Sequence, residues 1–170
     1  MKINLKKSRL LLVFLVPIFI QAQQGPAVKE QITSVLDQWH KAASDANFDA
    51  YFKLMDQQSI FIGTDPEELW NKKEFMDFAK PYFDRGKAWS FTSVERNIYI
   101  DNNEKYAWFD ELLNTQMELC RGSGILMYTD EGWKIRHYVL SIAVPNEDVD
   151  QLVSLKKKHD QSLIDALRKK

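Results

Sequence analysis

The 170-residue chain is 45% hydrophobic and 28% charged, with a formal net charge of −1. That is enough apolar content for the core of one domain, and too small an excess of either sign for a nucleic-acid-binding protein. Its single cysteine, Cys120, excludes an intramolecular disulfide.

The chain opens with Lys2, Lys6, Lys7 and Arg9, followed by the apolar run Leu10 to Ile20 and the small residue Ala22. This order of basic start, short apolar stretch and small residue predicts a secretory signal peptide over residues 1–22, and hence an exported protein, periplasmic or secreted, that begins near Gln23. The run is short for a bilayer span, and no cysteine stands at the junction to carry a lipid, so no stable membrane anchor is expected after cleavage. Removing those residues leaves 19 basic against 24 acidic side chains, which strengthens the case against a nucleic-acid partner.

Apolar residues Val28, Ile32, Val35, Leu36, Trp39 and Ala43 recur at helical spacing and predict an amphipathic helix over residues 27–45. Asn47 is placed to cap a second, short helix carrying Phe48, Tyr51, Phe52 and Met55. A short strand from Ser59 to Gly63 and a turn at Gly63-Thr-Asp-Pro66 follow. Asn71 with Glu74 has the form of a capping box opening a third helix, in which Pro81 predicts a kink or stop near Ala79. Strands are then expected over Trp89 to Ile100, Tyr106 to Leu113, Leu119 to Tyr128 and Trp133 to Ile142, with a hairpin at Glu131-Gly132. Residues 147–170 read as a C-terminal helical tail after a domain over 23–146.

Alternation sorts these strands into faces. Trp108, Asp110 and Leu112 share one face of their strand, opposite Ala107, Phe109, Glu111 and Leu113; both faces are apolar and both carry an acid. In the last strand Trp133, Ile135, His137, Val139 and Ser141 oppose Lys134, Arg136, Tyr138, Leu140 and Ile142, so neither face is given to water. Such strands call for a cover on each side: the chain's own helices on one, and on the other a partner subunit, which predicts a homodimer. In the strand of Arg121, the glycines Gly122 and Gly124 lie with Cys120 on one face and clear it for a close neighbour.

The order of helix, helix, short strand, helix and four long strands, with Phe61-Ile-Gly-Thr-Asp65, Pro81-Tyr-Phe83, Trp108-Phe-Asp-Glu111, Cys120-Arg-Gly-Ser-Gly124 and Trp133-Lys-Ile135 running on to Ser141 and Pro145-Asn146, resembles the SnoaL-like branch of the nuclear transport factor 2-like superfamily. The resemblance covers residues 28–146. It implies an α+β cone, a strongly curved, mostly antiparallel sheet wrapped around three helices with an internal pocket, and pairing of subunits through the outer sheet face. It does not imply one function, because the fold carries isomerases, dehydratases, binding modules and oligomerisation domains alike.

In enzymes of this superfamily a strand-borne aspartate facing the pocket acts as acid or base, and Asp110 or Glu111 is the matching position. Asp110 amid bulky apolar neighbours suits that role; the alternative is an ion pair with Arg96 or Arg121. Arg121 and Ser123 offer a guanidinium and a hydroxyl to an anionic group, unless Arg121 simply neutralises Asp110. His137 is the candidate proton shuttle or, equally, a core or interface histidine; relatives often place a histidine where this chain has Val139, and His40 and His159 have weaker claims. Trp108 and Arg96 complete the candidate ligand-binding set. Asp110, Arg121 and His137 are expected to share one cavity, with Glu111 and Arg136 as the alternative pair if the register differs. No histidines and carboxylates stand at metal-ligand spacing, and no metal or other cofactor is expected.

Two readings are open. One is a pocket protein binding a small hydrophobic or anionic molecule, either without catalysis or as a metal-independent isomerase or lyase of the ketosteroid isomerase type; the other is a non-catalytic dimerisation or interaction module.

Overall fold

The computed structural model describes residues 24–169; the expected signal peptide lies outside them. Helix α1 (Gln24–Ser44) buries Ile32, Leu36, Trp39, His40 and Ala43, the stripe its spacing predicts. Helix α2 (Phe48–Lys53) is capped by Asn47, whose side chain accepts from the Ala50 amide at 3.1 Å. Met55, expected at the end of that helix, instead opens strand β1 (Met55–Ile62). Strand β2 (Leu69–Asn71), absent from the predicted elements, is only three residues long and pairs with β1 around the Gly63–Glu68 turn. Helix α3 (Lys72–Asp84) opens on the full capping box of Asn71 and Glu74. It runs through Pro81 instead of ending near Ala79, because Phe75, Ala79 and Phe83 are buried on both sides of the proline and outweigh one missing amide donor.

Four long strands follow: β3 (Phe91–Ile100), β4 (Tyr106–Thr115), β5 (Glu118–Thr129) and β6 (Gly132–Ile142). They form one curved sheet in the order β2-β1-β6-β5-β4-β3, antiparallel except for the β1–β6 pair. Its inner face buries Ala107, Phe109, Leu113, Leu126, Tyr138 and Leu140, and α1 packs on the sheet at β3 and β6. Gly122 and Gly124 belong to this face, and Cys120 is fully buried there as a small apolar group.

The phase of β6 departs from strict alternation. Ile125 pairs with His137 but Leu126 pairs with Ile135, so Arg136 is the extra residue of a bulge. Ile135 therefore points inward together with Tyr138 and Leu140, while His137 and Val139 point outward. At the foot of the sheet the buried Lys134 donates to the carbonyl of Lys53, in the last turn of α2, and the buried Lys72 to that of Met55, the first residue of β1.

After a short 3-10 turn (Asn146–Asp148), helix α4 (Val149–Leu167) buries none of its residues. Among the described residues no helix is long and apolar enough to cross a membrane.

Candidate functional site

The inner acid is Glu111. It sits opposite Gly122 and Arg96 in the sheet and is 1% exposed. His40 Nε2 of α1 lies 2.8 Å from its Oε1, Arg96 Nε donates to its Oε2 at 2.9 Å, and the Tyr138 hydroxyl donates to Oε1 at 3.4 Å. Arg96 also donates to Asp37 at 2.7 Å and to the Thr33 carbonyl at 3.4 Å, tying β3 to α1. Burial pushes the Glu111 carboxyl upward, but the His40 bond and the charges of His40 and Arg96 outweigh it and hold the group below its ordinary value. Burial, reinforced by the Glu111 charge, pushes the Tyr138 phenol well up. A carboxylate held ionised beside the Arg96 guanidinium is a poor proton carrier near neutrality, and this cluster reads as a polar network that joins helix to sheet.

Beside it opens a cleft of about 300 Å³ between the β1–β2 hairpin, α3 and the ends of β3 and β6. Its walls are aromatic: Phe61, Trp70, Phe75, Phe78, Trp89 and Phe91. Phe61 and Phe75 stack at 4.0 Å, Trp70 and Phe78 at 4.4 Å, and Phe75 and Trp89 at 5.7 Å, with interplanar angles between 17° and 25°. Phe91 is a cleft wall whose ring meets His40 edge-on at 5.8 Å, and Leu140 closes the same end. No member of the Glu111 network lines the cleft.

Asp110, Arg121 and His137 share one face, as expected, but it is the outer face of the sheet and not the one turned toward the helices. All three lie on the outer face of the sheet, together with Trp108 and Ser123; of the expected ligand-binding residues only Arg96 is on the inner face, engaged as above. Alternation groups residues by face, but the side on which α1 packs decides which face is inside. Asp110 is opposite Ser123 and accepts from Asn97 at 3.0 Å, and its charge raises the neighbouring Tyr99 phenol. Arg121, opposite Leu112 and Ser141, is exposed. Neither Arg96 nor Arg121 pairs with Asp110. The alternative pair fails too: Arg136 donates to Asp56 and Gln58 of β1, not to Glu111.

One row of the outer face runs across five strands as Tyr99, Trp108, Ile125, His137 and Ile60. Tyr99, Trp108 and Ile125 are each more than two-fifths exposed, and the two rings stack at 5.8 Å. The cleft residues Glu68, Trp70, Phe78 and Trp89 were not among the candidates. Their signal in the sequence is an acid and a tryptophan flanking a capping box, which acquires meaning only once the β1–β2 hairpin places them.

The architecture is that of the nuclear transport factor 2-like cone. A protein of that type from Pseudomonas putida superposes with a TM-score of 0.61 at 11% identity, covering 72% of this chain and 91% of the other. A putative aromatic ring hydroxylase from Novosphingobium aromaticivorans gives 0.62 at 12% identity over 72% and 94%, and the association domain of CaMKII from C. elegans 0.55 at 22% over 68% and 96%. Identities this low establish the fold alone. The SnoaL-like domain model matches residues 32–145, two-thirds of the chain, and the chain belongs to that family. No curated protein matches it.

Proposed function

We propose that this protein binds a small, largely apolar molecule in the aromatic cleft. The observation that supports this most strongly is the cleft wall, in which stacked rings face a space of about 300 Å³, at the lower end of the ~300–1,000 Å³ typical of ligand sites. Binding is favoured over catalysis because the buried acid–base cluster of Glu111 and His40 does not line the cleft, and the cleft wall Phe91 packs its ring against His40. An anionic ligand loses its support, since Arg121 and Ser123 are on the far side of the sheet. Phe78 is 37% exposed, so Phe78→Ala removes a wall at small cost to stability. Native mass spectrometry of the purified protein is expected to show a small apolar adduct that Phe78→Ala weakens between about twofold and tenfold, as loss of one stacking ring of ~0.5–1.5 kcal/mol predicts. Unliganded wild-type protein, with no binding from a panel of small aromatic compounds, contradicts the proposal.

A second reading concerns assembly: pairing of two copies through the outer sheet face, supported by the exposed row Tyr99, Trp108 and Ile125. Light scattering at micromolar concentration is expected to give a dimer, and Trp108→Glu, which places a charge in the middle of that row, a folded monomer. A wild-type monomer overturns this. Export is part of the same proposal, resting on the basic start, the Leu10–Ile20 run and Ala22. N-terminal sequencing of protein from its host checks it, and a start at Met1 in the cytosol contradicts it.

A further inference from the structure

The cleft has one charged lining residue. Glu68 stands among Phe61, Trp70, Phe75, Phe78 and Trp89, and no lysine, arginine or histidine lines the space with it. Among the described residues Glu68 takes part in no ion pair.

The carboxylate is held where it can act on a ligand. It is turned back over Gly63, itself a lining residue, so closely that a Cβ at position 63 would lie 2.0 Å from Oε2. The turn locks this arrangement: the Gly63 amide donates to the Glu68 carbonyl at 2.9 Å, the Glu68 amide to the Asp65 carbonyl at 3.0 Å, and the Asp65 amide to Glu68 Oε2 at 3.2 Å. The rings supply the second element. Trp70 stacks on Phe78 at 4.4 Å and lies near-parallel to Phe75 at 5.6 Å, as Phe75 does to Trp89 at 5.7 Å, and an aromatic face open to the cleft attracts a cation more strongly as water is excluded. The rim already shows that preference in the Arg85 guanidinium, which lies 4.8 Å from the centre of the Tyr82 ring and is not part of the lining.

We infer that the cleft takes a small organic cation, an amine or quaternary ammonium group on an apolar body, with Glu68 as its counter-charge and the stacked rings as its cage. An anion meets no positive group among the lining residues, and a neutral apolar ligand leaves the Glu68 carboxylate to be desolvated without a counter-charge. The inference rests on the cleft being the binding site, and its failure is separable from failure of that reading.

The probes are benzyltrimethylammonium and neopentylbenzene, which have the same shape and differ in the charged nitrogen. In NMR titrations of the purified protein the cation is expected to bind at least about tenfold more tightly than its carbon analogue, as an ion pair added to a partly desolvated cation–π contact predicts. Glu68→Gln is expected to reduce that ratio below about threefold. Gly63→Ala, which forces the carboxylate out of its seat without touching its charge, is expected to reduce it likewise. Equal or tighter binding of neopentylbenzene to wild-type protein overturns the inference and leaves the cleft as an apolar site. Binding of neither compound overturns the cleft reading as well. A ratio that both variants leave at its wild-type value removes Glu68 from the site.

Discussion

Glu111→Gln is expected to lower the stability of the protein by about 3–5 kcal/mol, because it leaves the buried Arg96 guanidinium without its buried counter-charge and His40 without its carboxylate partner. Arg96 and Glu111 have side chains no more than 8% exposed, and the second acid on Arg96, Asp37, is largely in water. The pair Glu111→Leu with Arg96→Met removes both charges and is expected to recover a good part of that loss, which single removal of either partner does not. Urea denaturation of the wild type, Glu111→Gln and the double variant measures the difference. The network also fixes an acid sensitivity. The Glu111 carboxyl is held below its ordinary value of 4.5, so its contribution is complete above that pH and is lost as the pH falls through the lower folded-state value. Wild-type stability should therefore drop more steeply than that of the double variant as pH is lowered below about 4.5. A catalytic acid walled off by mistake would behave differently: its isosteric amide would leave stability nearly intact.

Gly124→Ala is expected to be the most damaging single-methyl change in the sheet, at about 3 kcal/mol or more, the upper end of the overpacking range. In a solvated strand the same change gains roughly 0.5–1 kcal/mol from reduced backbone freedom in the unfolded chain. Here the added Cβ would lie 2.3 Å from the His137 carbonyl oxygen and 2.9 Å from the Phe109 ring, so sterics reverse the sign. Gly122→Ala meets the Tyr138 hydroxyl at 2.3 Å instead. A side-chain end moves more readily than backbone, so its cost is expected to be smaller and to appear as loss of the Tyr138 contact to Glu111. Thermal denaturation ranks the two; a milder effect at Gly124 contradicts the bulged geometry that brings the His137 carbonyl so close.

These glycines show what the sequence could and could not reveal. Their alternation with Cys120 marked a face cleared for close contact, and the rings of Phe109 and Tyr138 occupy it. The grouping of Ala107, Phe109, Glu111 and Leu113 was equally legible, as were the Asn47 cap, the Asn71–Glu74 capping box and the α1 stripe. The assignment of faces was not, because Trp108 and Leu112 make the outer face nearly as apolar as the inner, and local spacing carries no information about where α1 packs. One feature did point the right way: the two glycines lie opposite Glu111 and Phe109, the side on which another element must approach. The β6 bulge at Arg136 then reversed the phase halfway along a strand whose first half alternation had placed with His137. The cleft was hidden for a different reason. Trp70 reaches it from a three-residue strand too short to produce a pattern, Glu68 from the turn before that strand, and Trp89 from a segment between elements.

The central claim is that ligands enter the aromatic cleft and not the outer face where Asp110, Arg121 and His137 lie. Crystal structures of the protein soaked with small aromatic compounds test it most directly. The account predicts density between Trp70, Phe78 and Trp89, close to Glu68. Density confined to the outer row beside Trp108, Ile125 and His137, with the cleft empty, would contradict it.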